Sequence, residues 1–552
     1  MTHRRFLAAA ILSGCLGWIL GEAVQAADSS PQAYAQDIIA AHGGVELLLH
    51  KVYFTETSLT EGQSGPGEQR TLILASQSLW FVGSVGQVPQ FAKGEVPADR
   101  WMWTLKPLVH PATHLDFLPD LPIDGRLAHG LKVSGSIEPA MQAYFDSATK
   151  DLVRIDWKGD RILFSNPVEV SGTLVPAQSL LYRGNEKHGV RTELSEVGRL
   201  EELPPALGYV DGDTLFFTGE SKASASAQLL RIPKALPRLI SANGAMQFEA
   251  GRDFIWRAGS RQLTLTPNSR IPFKTTAELH PATNAPNAYR SQRGTDRWMF
   301  YGPGRMVHDL QCLASYPSSD PWTLPLPAAA SDEQLGELRA LLRSKQFAKC
   351  VMLGDSISTE ADASAVAKAW PYQSGYPSLV VRGLESRWGG KVVLKNLSVG
   401  GMDSEWGATQ VPSVIAEKPD LLLVAFGMND ASGRRTAADF ARITKQIVNP
   451  IRAVLPHCTV ILVSTMTANR EWDYASPELY PQYATALGAM VGPGIAVADV
   501  TALWSVVEAR KKHFDLTGNG LNHPNDFGHR LYAASILAVI GTNVIAIGGN
   551  RE

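Results

Sequence analysis

The chain has 552 residues, with 51 lysines and arginines against 53 aspartates and glutamates and a formal net charge of −2. One ordinary core does not serve that length, so two or three domains are expected. The near-balance of charge gives no general electrostatic drive toward nucleic acid or an anionic membrane.

The amino terminus carries Arg4 and Arg5, an apolar run from Phe6 to Leu20, and Val24-Gln25-Ala26 before Ala27. This order is a secretory signal over residues 1–26 with cleavage expected after Ala26, so the mature chain is expected to be exported, periplasmic or secreted. A competing reading takes Leu12-Ser13-Gly14-Cys15 as similar to the lipobox of a bacterial lipoprotein, with lipid on Cys15. Plain export is favoured because Leu16 to Leu20 continue the apolar run where a lipidated cysteine is normally followed by polar linker. No later stretch is apolar for the roughly 20 residues of a membrane span. The mature chain keeps Cys312, Cys350 and Cys458, so at least one thiol stays unpaired in a monomer. Cys350 and Cys458 each open an apolar run and read as buried strand residues.

Residues 27–200 begin with a helix-like segment, AYAQDIIAAHGGVELLLHKV, and continue in short alternating runs such as TLILAS, LKVSGS, LVRIDW and RILFSN. Alternation of that length means antiparallel sheet. The stretch from YFDSATKDLVRIDW to LVPAQSLLYR resembles the half-barrel of LolA-like lipoprotein-carrier domains, which implies a concave face able to hold an acyl chain or glycolipid; a structural sheet with a filled core is the alternative. His110, His114, Asp116, Asp120, Asp124 and His129 invite a metal site, but Pro111, Pro119 and Pro122 break any helix that aligns them and no ligand spacing fits. A solvated loop is expected there, and no metal or other cofactor.

Residues 201–330 return to short strands (TLFFTG, QLLRI, MQFEA, DFIWRA, QLTLTP) between Gly, Pro and Asn turns, the pattern of a β-sandwich. The stretch GRDFIWRAGSRQLTLTPNSRIPF is similar to modules that precede the catalytic domain in carbohydrate-active esterases. Trp256, Trp298 and Trp322 are candidates for stacking on sugar rings, against the commoner placement of tryptophan in a core. Residues 331–345 predict a linking helix, with Ser331 and Gln334 as a capping box and Leu335, Leu338, Leu341 and Leu342 on one face.

From 346 to 545 apolar strands alternate with amphipathic helices. The strands are CVMLGD, KVVLKN, LLLVAFG, TVILVS and GIAVADV; helices are expected near Ser378–Trp388, Glu405–Glu417, Phe440–Val454, Tyr480–Val491, Ala502–Lys511 and Asp526–Val539. This is an α/β domain with a five-stranded parallel sheet covered on both faces. Four blocks fall in the loops where such folds collect reactive groups: Ser356 in GDSIS after the first strand, Gly401 in NLSVGGMDS after the second, Asn429 in FGMND after the third, and His523 in GLNHPNDFGH before the last helix.

Those blocks, in that order, resemble the SGNH (GDSL-type) hydrolase superfamily over Lys349 to about Gly541. The resemblance implies a flavodoxin-like fold and a serine esterase. In it Ser356 attacks the ester carbonyl, His523 is the base, and Ser356 N–H, Gly401 N–H and the Asn429 amide form the oxyanion hole. The family usually has an aspartate three residues before the histidine, and that position is Gly520. Asp515 is the expected replacement, with Asp526 the other nearby acid and a Ser/His dyad the alternative. The tail DLTGNGLNHPNDFGHRLYA is similar to carbohydrate O-acetylesterases, so the expected reaction removes small acyl groups, acetyl above all, from carbohydrate. A lipase or lysophospholipase, an acyltransferase, and a non-catalytic glycan- or lipid-binding protein are the alternatives.

Overall fold

The structure is a computed structural model that describes residues 30–541 except 50, 61–66, 75–78, 85–89, 93–103, 171, 185–188, 201–207, 290, 319, 323 and 345–346. The signal segment and Cys15 lie outside the described residues.

Eleven strands between Lys51 and Leu200 form one antiparallel sheet. The strand Lys51–Thr60 sits inside it, paired on one side with Gly67–Leu74 and on the other with Val190–Leu200. Ser30 caps the helix Pro31–Ala41, whose Tyr34, Ala35 and Ile38 enter a core shared with Val52, Phe54, Leu131, Phe145 and Ile155. The expected solvated loop over the histidine and aspartate cluster is instead a strand, His114–Ile123, paired with Arg126–Ser134. Its prolines are tolerated because it is the last strand of the sheet and its register shifts between Leu118 and Leu121, where ladder N–H groups are not required. His129 meets Asp120 at 2.8 Å, and among the described residues no group of three or more His, Cys, Asp or Glu side chains is placed to hold a metal ion.

Between Tyr209 and Pro317 a four-stranded and a three-stranded sheet share a core. Leu215, Leu239, Cys312 and Tyr316 come from the first sheet, and Ala227, Phe254, Leu263 and Leu265 from the second. The three tryptophans are not open platforms. Trp256 packs on this core and donates its indole N–H to Ser260 O at 2.8 Å. The Arg510 guanidinium lies 4.5 Å over Trp322, and Trp298 is half-buried.

The linking helix α1 (Asp332–Arg343) starts at the Ser331/Gln334 capping box and buries Leu335, Leu338 and Leu342. The five strands that follow are β1 (Ala348–Gly354), β2 (Val392–Asn396), β3 (Leu421–Ala425), β4 (Thr459–Val463) and β5 (Ile495–Ala498). All are parallel, in the order β2-β1-β3-β4-β5. Strands β3 and β4 are buried at every residue, which is why they read as unbroken apolar runs. Helices α2 (Tyr376–Trp388), α3 (Ala437–Val454), α4 (Val500–Glu508) and α5 (Asp526–Ile540) cover the sheet. The helix expected over Glu405–Glu417 is two, Ser404–Thr409 and Val411–Glu417. Pro412 lacks an N–H and is favoured in a first turn, which is where it stands in the second helix. Strand order reverses at β1, between β2 and β3, so a crevice opens beyond its carboxyl end. Ser356 stands there.

Candidate active site

Strand β1 ends at Gly354, where a Cβ would lie 2.2 Å from Ser358 Oγ and 2.6 Å from Ala425 O, so only glycine lets the chain turn so tightly. Asp355 is buried, accepts the Ile357 N–H at 2.9 Å, and has its carboxyl pushed up to about 7 by burial. Ser356 is the one residue of the run from Val351 to Ser358 that is not buried. Sequence makes the strand apolar, the strand buries itself, and the turn lifts one hydroxyl out.

His523 faces it, with Nε2 at 2.8 Å from Ser356 Oγ. On the other side of the ring, Nδ1 lies 2.7 Å from Asp362 Oδ2. Asp362 is nearly buried, has φ of 62°, and accepts the Gly304 N–H on Oδ1 at 2.5 Å. Serine hydroxyl, imidazole and carboxylate thus stand in one hydrogen-bonded line, the arrangement that lets an imidazole take a proton from a serine while the acid fixes its tautomer.

Each member is held from behind. Asn519, fully buried, accepts the N–H groups of Leu521, Asn522 and His523 at 2.9, 3.0 and 3.1 Å, which folds the loop that carries the imidazole. The loop of Asp362 is tied to α5: His529 Nε2 donates to Ala361 O at 3.1 Å, and the Asp526 carboxylate accepts Ser364 N–H at 2.8 Å. His529 Nδ1 in turn accepts Tyr376 N–H at 3.2 Å, and burial lowers this imidazole to about 4, so it sits neutral.

The expectation for Asp515 is corrected. Its carboxylate is fully buried and accepts Phe216 N–H at 2.6 Å and Lys512 N–H at 2.9 Å, with Lys511 Nζ at 3.9 Å. Burial raises this acid while Lys511 opposes the shift. Asp515 therefore binds the loop to the strand Tyr209–Phe216, and the acid beside the imidazole is Asp362, which sequence reasoning missed. Asp526 likewise serves the Asp362 loop and not the ring, and Asn525 caps α5. The usual acid position is closed: Gly520 has φ of 85°, and a Cβ there would lie 2.6 Å from the Phe514 ring and 3.1 Å from Phe300 O. The one available signal was that vacancy, which forces the acid to come from elsewhere. Nothing in the spacing distinguished Asp362 from its neighbours Asp355 and Glu360.

The oxyanion candidates stand in the loops after β2 and β3. Gly401 has φ of 81° with open space where a Cβ would be, and the Cβ position of adjacent Gly400 is 3.7 Å from Ser356 Cβ. Asn429 donates one amide hydrogen to Met402 O at 2.8 Å, leaving the second to a ligand. The neighbouring Asp430 locks the two loops together by accepting Ser404 Oγ–H at 2.6 Å, with Arg435 Nε at 2.8 Å. Arg435 also reaches Asp403 at 2.8 Å and Glu405 at 3.1 Å.

Residues 352–531 match the GDSL-like lipase/acylhydrolase family. The match does not extend to the amino-terminal sheet. Among solved structures the chain is similar to a two-domain esterase (CEX) active on acetylated mannans, at 18% identity over 40% of this chain and 55% of that chain, with a TM-score of 0.32. It thus spans about half the length of that esterase. It is also similar to the lipase/acylhydrolase from Enterococcus faecalis (24% identity, 34% of this chain, 93% of that chain, TM-score 0.27). A carbohydrate esterase family 3 structure from Talaromyces cellulolyticus is similar at 19% identity, over 34% of this chain and 94% of that chain, with a TM-score of 0.28. No curated protein matches the chain.

Proposed function

We propose that the protein is an exported serine esterase that hydrolyses small acyl esters, acetyl above all, on carbohydrate. The observation that carries the catalytic part is the line from Ser356 Oγ through His523 to Asp362, at 2.8 and 2.7 Å. In this reading Ser356 Oγ bonds to the ester carbonyl carbon as His523 Nε2 takes the hydroxyl proton. The negative charge that develops on the carbonyl oxygen is met by Ser356 N–H, Gly401 N–H and the free hydrogen of the Asn429 amide. Collapse breaks the bond to the sugar oxygen, which leaves with the proton from His523. Water then attacks the acyl-serine with His523 again as base, releasing the carboxylic acid and restoring the serine. Asp362 holds Nδ1–H throughout and stabilises the imidazolium.

The relic reading rested on the missing acid at Gly520, and a carboxylate 2.7 Å from His523 Nδ1 supports the esterase over it. The substrate part rests on the resemblance of the motif tail and on the export signal. The test is fluorophosphonate labelling together with esters from acetyl to octanoyl. Labelling at Ser356 and activity falling steeply beyond acetyl are expected; absence of labelling overturns the esterase, and activity rising with chain length moves it to a lipase.

A further inference from the structure

Two strips of chain meet beside the His523 loop. One is the hairpin in which Ala288–Tyr289 pairs with Met299–Phe300, and the other is the segment Asn469–Ser476 that follows β4. They are stitched to each other, Arg293 N–H donating to Glu471 O at 2.7 Å and Asp473 N–H to Ser291 O at 3.0 Å. Both are also stitched to the catalytic loop. Gly302 N–H donates to Asn519 O at 3.3 Å, Asn469 N–H to Leu521 O at 2.8 Å, and Gly304 N–H reaches the Asp362 carboxylate. The strip from the middle sheets is therefore part of the wall of the site.

Along this seam runs a continuous row of rings. Tyr301 and Tyr289 are 5.2 Å apart, Tyr289 and Trp472 6.4 Å, and Trp472 and Tyr474 5.6 Å. Two of the rings have an evident packing role: Trp472 is 6% exposed and Tyr301 lies against the hydrolase core. Burial raises the Tyr301 phenol, with the Asp362 carboxylate adding to the shift, which puts this ring within reach of the catalytic acid's field. The other two are different, since Tyr289 is 43% and Tyr474 39% exposed. Charged side chains alternate with the rings in Glu471-Trp472-Asp473-Tyr474. A lipid chain needs an unbroken apolar groove, whereas a pyranose offers apolar C–H faces to rings and hydroxyls to charged neighbours.

We propose that Tyr289 and Tyr474 form a sugar-binding shelf that seats the carbohydrate backbone of the acylated substrate beside His523. The proposal rests on the esterase reading and names the part of the substrate that the catalytic line does not touch. A strand of the middle region and a turn of the hydrolase domain build the shelf, so the middle region contributes to substrate choice as well as to the position of Asp362.

The test uses the full chain with acetylated xylo-, manno- and cellopentaose beside 4-nitrophenyl acetate and 4-nitrophenyl octanoate. Tyr289→Ala and Tyr474→Ala should each lower kcat/KM for the preferred pentasaccharide about tenfold relative to 4-nitrophenyl acetate, through KM, as expected for loss of one aromatic contact. Tyr→Phe at either position should restore the ratio. Calorimetry on Ser356→Ala should show pentasaccharide binding that the added Tyr289→Ala and Tyr474→Ala changes weaken. Equal ratios and equal binding in all variants overturn the shelf while leaving the esterase standing. A loss confined to the octanoyl ester overturns it in favour of an acyl-chain site. Binding by the Ser356→Ala protein, without hydrolysis of any ester by the native one, refutes the esterase and keeps the shelf.

Discussion

The loop after β1 and the loop before α5 each carry an aspartate out of solvent, and only one of these acids meets the imidazole. Asp515 spends both oxygens on backbone N–H groups, those of Phe216 and Lys512. Asp362 spends one oxygen on the Gly304 N–H and keeps the other for His523 Nδ1. A carboxylate saturated by backbone donors joins two segments, while one that retains an oxygen toward a titratable ring can steer that ring. Nearness to the histidine in sequence is thus a poor guide: Asp515 is eight residues away and Asp362 is 161, yet the fold brings the second alongside.

The comparison breaks most visibly on two amide substitutions. Asp362→Asn should lower kcat up to about 10⁴-fold, because Nδ1 then meets a mixed donor and acceptor that neither fixes the tautomer nor stabilises the imidazolium. Asp515→Asn should leave turnover per folded molecule near normal and lower stability by about 2 kcal/mol or more, since a buried acceptor of two N–H groups is replaced. Steady-state kinetics and urea unfolding on both variants check this, and the reverse pattern would return the acid role to Asp515. Next in size is Asn429→Ala, expected to cost roughly 100- to 1000-fold in kcat with little change in KM, as a donor met only by the transition-state charge is lost. An effect confined to KM would remove Asn429 from the oxyanion hole.

A further substitution sharpens the comparison at the vacant position. Gly520→Asp in the Asp362→Asn background should not restore activity, because the added Cβ meets the Phe514 ring and φ is in the left-handed region. The single variant Gly520→Ala should lose about 1–3 kcal/mol of stability, measured by thermal or urea unfolding. Recovery of turnover in the double variant would show that the loop accepts the acid in its usual place.

How much of this was legible depends on whether the information was local. Strands β3 and β4 announce themselves because burial on both faces demands apolar residues throughout. Ser356, Gly401, Asn429 and His523 are legible because their blocks, in order and each after a strand or before a helix, resemble those of the SGNH superfamily. The capping box at Ser331 also predicts the helix it begins. The misses were non-local or compensated. Asp362 depends on a contact across 161 residues, and Gly304 on a contact between regions of different sheets. The strand His114–Ile123 was obscured by prolines that an edge and a register shift make harmless. The exposed rings carry no local signal, since Tyr289 and Tyr474 become neighbours only through Trp472.

The smallest effect concerns the ring that supports the Asp362 loop. His529 is fully buried and its folded pKa of about 4 lies below the ordinary value of 6.5, burial being the cause. The unfolded chain therefore binds a proton near pH 6 that the folded chain refuses. Stability from this group is present above the unfolded pKa and is lost as pH falls through the interval from about 6.5 to 4, about 2 kcal/mol of it between pH 7 and pH 5. Asp355, Asp515 and Asp526 have raised values and act in the opposite direction, so the sum over the whole protein does not isolate the histidine. The difference between native protein and His529→Asn does, because the acids are common to both. Urea unfolding at pH 7 and pH 5 should show the native protein losing about 2 kcal/mol more than the variant over that interval. Parallel losses would mean that His529 takes up its proton in the folded state, on the Nδ1 that otherwise accepts the Tyr376 N–H.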